Sequence, residues 1–148
     1  MASRSMRLAA GFGAVVLSLA GFQAEARDDG LMLPVEDVLT EYADRLDSDV
    51  KFYFGKQSYP TPSKKLGEYV TNKKTNAFNK SDEEACRWVM LSALLQLQER
   101  AQSEGGNAVV DIRSYYKKNE VSSETEYECH AGNIMAGVAL IGRVVKID

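Results

Sequence analysis

The chain has 148 residues, of which 45% are hydrophobic, and its 18 basic and 21 acidic side chains give a net charge of −3. This length is enough for one domain with its own core. A mildly acidic chain is not built to hold nucleic acid or anionic lipid by bulk electrostatics, which excludes the usual nucleic-acid-binding classes.

The N-terminal segment has the order of features typical of a secretory signal peptide. Arg4 and Arg7 give a positive start, the run Leu8–Ala20 carries no charge, and Ala24-Glu25-Ala26 has the small-x-small pattern that signal peptidase reads. The apolar run is shorter than the roughly 20 residues that cross a bilayer. We therefore expect residues 1–26 to be a signal peptide that is cleaved after Ala26.

The rest of the chain, residues 27–148, is expected to form a single α+β domain in the periplasm, with no membrane span. Cleavage would remove two of the basic side chains and one of the acidic ones, which leaves a net charge of −4.

The first part of this domain predicts one short helix and two strands. Apolar residues recur at helical spacing from Val35 to Leu46, directly after Pro34, and this pattern predicts an amphipathic helix. Apolar side chains at alternate positions from Val50 to Phe54 predict a strand. A weaker strand is predicted at Leu66–Thr71, and residues 71–80 are expected to be a polar connection.

The clearest local signal belongs to a long helix. Ser81 stands three residues before Glu84, as in a capping box, and the predicted helix runs from Asp82 to about Glu104, where Gly105-Gly106 ends it. Its middle is apolar on more than one side, which indicates a deeply buried helix that packs on a sheet.

After the glycines, the period of the pattern changes to two. Strands are predicted at 107–116, at 125–131 as the returning strand of a hairpin, and at 135–147. The expected fold is α+β, with a mostly antiparallel sheet packed by one long central helix and one short N-terminal helix.

The two cysteines, Cys86 in the long helix and Cys129 in the returning strand, predict a disulfide. Export places them in oxidising surroundings, and the domain has no other cysteine to pair with either of them. This bond would attach the helix to the sheet.

Two functional alternatives use the same residues. A redox-active pair would normally be close in sequence, whereas these cysteines are far apart. A metal site could combine Cys86, Cys129 and His130, with Glu126 or Glu128 as a fourth ligand. Adjacent residues of a strand point to opposite faces, which disfavours joint binding by Cys129 and His130.

Other motifs do not support a catalytic centre or a cofactor. Gly55-Lys56-Gln57-Ser58 lacks the first glycine and the hydroxyl position of a phosphate-binding loop. His130 is the only histidine, which leaves little material for a catalytic triad, and a lone histidine is more often a hydrogen-bonded structural residue. Three separated lysine pairs fit solvated loops better than a nucleic-acid surface.

Several segments together resemble one family of small exported proteins of Gram-negative bacteria, many of which carry the name "excinuclease ATPase subunit". The resemblance covers nearly all of residues 27–148. It rests on VKFYFG, NKKTN, KSDEEACRW, NAVV, SYYKKNE and TEYECHAGNIMAGVAL. The residues do not support the ATPase name, because the chain has neither a phosphate loop nor zinc-finger cysteines.

A second resemblance covers Glu84 to Leu140. A helix leading into Asn-Ala-Val-Val, a cysteine-bearing hairpin and Gly-x-Ala-Leu are similar to the outer-membrane lipoprotein sensor of the Rcs pathway and to YbjQ-like domains. This resemblance implies a compact fold that is used for protein contacts and is held by disulfides. The lipid-bearing cysteine of the sensor is missing here.

The sequence thus predicts a non-enzymatic binding or protein-interaction module of the cell envelope. The expected partner is another envelope protein or an envelope glycan. The alternative is a metal-binding or redox protein that uses Cys86, Cys129 and His130.

Overall fold

The computed structural model describes residues 26–148, which form an α+β fold with one sheet and two α-helices. The helices are α1 (Val35–Glu41) and α2 (Asp82–Ser103), and a 3₁₀ turn (Ala43–Arg45) follows α1. Within the described residues the sheet has seven strands: β1 (Asp29–Pro34), β2 (Lys51–Phe54), β3 (Lys64–Asn76), β4 (Ala108–Tyr116), β5 (Asn119–Val121), β6 (Glu126–Ala131) and β7 (Met135–Lys146).

Strand β7 is the centre of the sheet. One edge of β7 pairs with β3 along nearly its whole length, whereas the other edge pairs with β4 near its end and with β6 near its start. Strand β6 also pairs with β1, and β4 also pairs with β5 and β2. Because β4 and β6 share one edge of β7, the residues at the end of β4 lie close to those of β6.

The sheet is mixed, which refines the expectation of a mostly antiparallel one. Strand β2 runs parallel to β4, while the other described pairings are antiparallel. Parallel neighbours need a crossover connection rather than a tight turn. Here the chain between β2 and β4 supplies it, since β3 and α2 lie in that stretch.

Helix α2 has the bounds and the burial that its sequence predicts. The Ser81 side chain accepts a hydrogen bond from the Glu84 backbone N–H at 3.1 Å, and Gly105 follows the helix with φ +78°. The helix packs on β3, β4, β6 and β7. Its buried residues are Ala85, Cys86, Val89, Met90, Leu91, Ala93, Leu94, Leu97, Gln98 and Ala101.

The first helix is shorter than predicted. Val35 and Val38 are buried, and Pro34 precedes the helix, as the pattern indicated, but the α-helix ends at Glu41 and the chain continues as the 3₁₀ turn. Helix α1 packs against α2.

The strands differ from the sequence predictions in three places. β1 was not predicted, because in a short run bounded by aspartates and a proline only Leu31 and Leu33 pack against the core. β3 continues to Asn76, into the expected polar connection, because its backbone pairs with β7 while most of its side chains stay in solvent. The predicted hairpin of β4 and β6 does not form, since β6 takes β1 and β7 as its partners.

The predicted signal peptide lies outside the described residues except for Ala26. Neither of the helices found in residues 26–148 combines the length and the apolar character needed to cross a bilayer.

Candidate functional site

A disulfide joins α2 to the sheet, as the sequence predicted. Cys86, in the second turn of α2, is bonded to Cys129 of β6, and their Cα atoms are 5.9 Å apart. Both residues are fully buried. The bond therefore fixes β6, and with it the residues that β6 presents on its other face.

The disulfide bears directly on the metal and redox alternative. A cysteine binds a metal ion as its thiolate, but in this structure the two sulfurs are bonded to each other and have no solvent contact. His130 follows Cys129 and lies on the opposite face of the strand. Among residues 26–148 no group of three or more histidine, cysteine, aspartate or glutamate side chains is arranged to hold a metal ion.

His130 lies between two carboxylates. Its Nδ1 is 3.0 Å from Asp28 Oδ1, and its Nε2 is 2.6 Å from Glu128 Oε1. Glu128 and His130 are two positions apart on β6, so their side chains share a face. Asp28 comes from the segment before β1, which is held here because Gly30 of β1 pairs with His130. A ring with protons on both nitrogens donates to both carboxylates, whereas a neutral ring donates to only one.

Tyr116 completes this group of side chains, which we call the His130 cluster (Asp28, Tyr116, Glu128 and His130). The rings of Tyr116 and His130 are stacked, with centroids 3.4 Å apart and planes 9° apart. The Tyr116 hydroxyl donates to Asp28 Oδ2 at 3.3 Å. The cluster is assembled from the end of β4, from β6 and from the start of the described chain.

The contacts of the cluster shift the pKa values of two of its members. Burial pushes the pKa of Asp28 up, but the hydrogen bond and electrostatic attraction of His130, the Tyr116 hydroxyl and the Lys117 ammonium outweigh it, and the pKa is lowered. Burial, together with the nearby Asp28 carboxylate, raises the pKa of Tyr116. Asp28 is therefore held as a carboxylate, and Tyr116 as a neutral phenol.

A cavity of about 420 Å³ lies beside the His130 cluster. Tyr116 and His130 form part of its wall, and apolar side chains from the start of β7 and the loop before it form another part. Its lining residues are Ala26, Arg27, Asp28, Lys74, Tyr116, His130, Gly132, Asn133, Ile134, Met135, Ala136 and Gly137. A volume of this size is within the range of small-molecule sites.

Two of the polar side chains at the cavity, Arg27 and His130, are held by other parts of the protein. Arg27 donates to both carboxylate oxygens of Asp82, at 3.1 and 2.6 Å, and to the Gly132 carbonyl. Both nitrogens of His130 lie within hydrogen-bonding distance of carboxylates. The arrangement can hold a ligand or a partner, and its titratable groups stabilise the walls.

The sequence indicated only part of this site. It predicted the disulfide and a hydrogen-bonded role for His130, but it considered Glu128 only as a possible fourth metal ligand. It missed Asp28, because the signal that places Asp28 beside His130 is the pairing of β1 with β6, and β1 was not predicted. Tyr116 carried no specific signal.

Comparison with protein-family models, with curated proteins and with solved structures finds no match to this chain. The function must therefore be argued from the site itself.

Proposed function

We propose that this protein is an exported, non-enzymatic binding module of the cell envelope, which holds its partner at the cavity beside the His130 cluster. The observation that carries the proposal is the cavity itself, which has the size of a binding site and walls fixed by hydrogen bonds and by the disulfide. A fixed wall favours binding, because little conformational freedom is lost when the partner docks.

The state of the polar groups favours binding over catalysis. A general base needs a nitrogen or oxygen within reach of the proton that it removes. In the cavity the imidazole nitrogens are engaged by Asp28 and Glu128, and the Arg27 guanidinium is engaged by Asp82. The side chains that line the cavity are therefore suited to recognition.

Export to the periplasm is supported by two independent features. The first is the order of charge, apolar run and small residues that ends at Ala26. The second is the Cys86–Cys129 disulfide, a bond that persists in oxidising compartments. In this compartment the partner is another envelope protein or an envelope glycan, in keeping with the exported family that the sequence resembles.

The first test is the intact mass of the exported protein. We expect it to lack residues 1–26 and two hydrogens, which correspond to the signal peptide and to the disulfide. An uncleaved chain with two free thiols would overturn the proposed compartment.

The second test is site-specific photo-crosslinking in intact cells. A photoreactive residue in place of Met135, at the cavity, is expected to give a discrete adduct with a protein or a glycan. The matched control is the same residue in place of Tyr59, which is also exposed but precedes the opposite end of β3. Equal labelling at both positions would contradict the proposed site. Turnover of a substrate that is abolished by one substitution in the cavity would contradict the non-enzymatic function.

A further inference from the structure

The longest strand of the sheet, β3, has one edge that no strand of the described chain covers. It spans 13 residues and pairs with β7 along one edge, and no other strand of residues 26–148 pairs with it. An open edge presents a row of backbone N–H and C=O groups that can pair with another chain. The occupant that these groups fit is therefore a further β-strand.

A hydrogen bond at the end of β3 shows which residues carry the open groups. The Ala77 N–H donates to the Ile134 carbonyl at 2.7 Å. Asn76 and Met135, the facing pair beside this bond, are therefore a pair without hydrogen bonds of its own. Because the two kinds of pair alternate in an antiparallel ladder, the backbone groups of the even-numbered residues 68–76 point away from β7. The same even-numbered residues are exposed.

Side chains of the protein itself occupy a carbonyl at each end of this edge. The Tyr69 hydroxyl donates to the Leu66 carbonyl at 3.0 Å, and the Lys80 ammonium donates to the Asn76 carbonyl at 3.1 Å. The stretch between these two carbonyls is residues 68–74, which we call the open edge.

We propose that the open edge pairs with the open edge of a second copy of this chain, in antiparallel orientation, to form a dimer with one continuous sheet. Such a contact is two-fold symmetric, so it closes after two copies. When the two segments overlap fully, Thr71 lies opposite Thr71 of the second copy. The even-numbered residues, whose backbone groups point outward, then face one another. Val70, which is 54% exposed, lies opposite Asn72 of the second copy.

The charges of the open edge are complementary in this register. Glu68 of each copy lies opposite Lys74 of the other, so the pair occurs twice. Among residues 26–148 Lys74 forms no ion pair. Arg113 and Arg143 both contact Glu68 through Oε2, which leaves Oε1 for the ammonium of the second copy. Opposite charges that face each other across two strands stabilise the pairing.

Lys74 of the second copy also balances the charge around Glu68. The ion pairs there join three carboxylates to two guanidiniums, which is an excess of one negative charge. One lysine from the second copy neutralises this excess. The members of the network are Glu68, Asp111, Glu120, Arg113 and Arg143.

The lysines of the open edge also select the antiparallel orientation. Parallel pairing in register would set Lys73 and Lys74 beside their own copies, and like charges directly opposite destabilise a sheet. In the antiparallel register Lys73 lies opposite Tyr69 of the second copy. The Arg100 guanidinium already lies over that ring, but Arg100 is paired with Glu104, so the repulsion on this face is small.

Sedimentation equilibrium of the exported chain tests the dimer. We expect a reversible monomer–dimer equilibrium, which Val70→Pro should abolish, because the Val70 N–H points into the proposed contact and proline has no N–H. The same N–H makes no bond to β7, so urea unfolding of the dilute variant should match that of the dilute parent.

A change of charge tests the contact without altering the backbone. Lys74→Glu sets two pairs of like charges across the contact and should raise the dissociation constant of the dimer at least about tenfold. Lys51→Glu is the matched control, because it makes the same change at an exposed residue of β2 and should leave the dissociation constant unchanged.

Single cysteines test the register at two exposed positions. Under mild oxidation, a mixture of the variants Val70→Cys and Asn72→Cys should give a mixed disulfide, because these positions face each other and facing Cα atoms are about 5.5 Å apart. Neither variant alone should link, since each position lies two residues along from its own copy, beyond the roughly 7 Å that a disulfide spans.

Three outcomes would overturn the inference: a chain that stays monomeric up to millimolar concentration, a dimer that neither Val70→Pro nor Lys74→Glu weakens, or a disulfide in either cysteine variant alone. The dimer does not depend on what the cavity holds. Equal labelling in the photo-crosslinking test at Met135 would therefore contradict the proposed function and leave the dimer, whereas a monomeric chain with a specific adduct at Met135 would do the reverse.

Discussion

His130 and Tyr116 lie face to face, with their ring centroids 3.4 Å apart, and both are bonded to the Asp28 carboxylate. The His130 ring is also held at both of its nitrogens, because Nδ1 is 3.0 Å from Asp28 Oδ1 and Nε2 is 2.6 Å from Glu128 Oε1. The four side chains thus form a unit that attaches the start of the domain to β4 and β6.

Asp28→Asn tests this unit through its pH dependence. Because the folded state lowers the pKa of Asp28, the carboxylate contributes stability above its unfolded pKa of about 4, and this contribution is lost as the pH falls through the folded pKa. We expect Asp28→Asn to lower the free energy of unfolding by about 0.5–1 kcal/mol at neutral pH, since the side chain is partly in solvent and such pairs are weak. The loss should shrink at about pH 3.

Urea unfolding at both pH values measures this effect. The exposed Asp44→Asn, on the 3₁₀ turn, is the control for removing one negative charge. An equal loss at the two pH values would mean that the charge of Asp28 does not stabilise the fold.

The double variant Cys86→Ala/Cys129→Ala tests the contribution of the disulfide. The bond closes a loop with a sequence separation of 43, and the chain-entropy relation gives about 4 kcal/mol for such a loop. We expect the variant to unfold at a lower denaturant concentration by about this free energy. Reduction of the parent under denaturing conditions, followed by refolding in reductant, should reproduce the loss. A variant as stable as the parent would show that the core alone holds α2 on the sheet.

The features that the sequence predicted well are those that local patterns determine. The bounds of α2 follow from the capping residue Ser81 and from Gly105, which lie at its two ends. The disulfide was predicted from the number of cysteines and from the expected export of the chain. The burial of α2 followed from apolar residues on more than one side of it.

The features that the sequence missed depend on contacts between distant parts of the chain. Asp28 and His130 are 102 positions apart, and no local pattern reports their contact. The length of β3 comes from hydrogen bonds between its backbone and β7, which leave few apolar side chains as a signal. The parallel position of β2 beside β4 likewise depends on the crossover through α2.

Arg113→Met tests a network of charges on the sheet. The Arg113 guanidinium is 11% exposed and lies within 3.2 Å of oxygens from Glu68, Asp111 and Glu120. Removal of the guanidinium leaves three carboxylates without this cation. We therefore expect the free energy of unfolding to fall by about 2–3 kcal/mol at neutral pH. The hydrogen bond from Arg113, acting against burial and with help from Arg143, lowers the pKa of Glu68. The loss should therefore decrease as the pH falls below about 4 and Glu68 becomes protonated.

Arg143→Met is the matched control for this network. Its guanidinium also contacts Glu68 and Asp111, but the side chain is 54% exposed. We expect it to cost less than about 1 kcal/mol, as exposed pairs usually do. Equal losses for the two arginines would contradict the central role of Arg113.

Tyr127→Phe is expected to stabilise the protein, although it removes a polar group from the core. Tyr127 is 1% exposed, and its hydroxyl has no hydrogen-bond partner among the described residues. An unpaired buried hydroxyl costs free energy, so its removal should raise the stability by about 1 kcal/mol at neutral pH. Burial also raises the pKa of Tyr127. The folded state therefore keeps its proton at pH values where the unfolded chain loses it, and parent stability falls as the pH rises above about 10. The gain from Tyr127→Phe should accordingly be larger in alkaline solution.

Tyr69→Phe is the control, because that hydroxyl donates to the Leu66 carbonyl at 3.0 Å and its removal should destabilise the fold. Urea unfolding of both variants at neutral and alkaline pH gives the comparison, and a loss of stability in Tyr127→Phe would show that its hydroxyl is bonded after all.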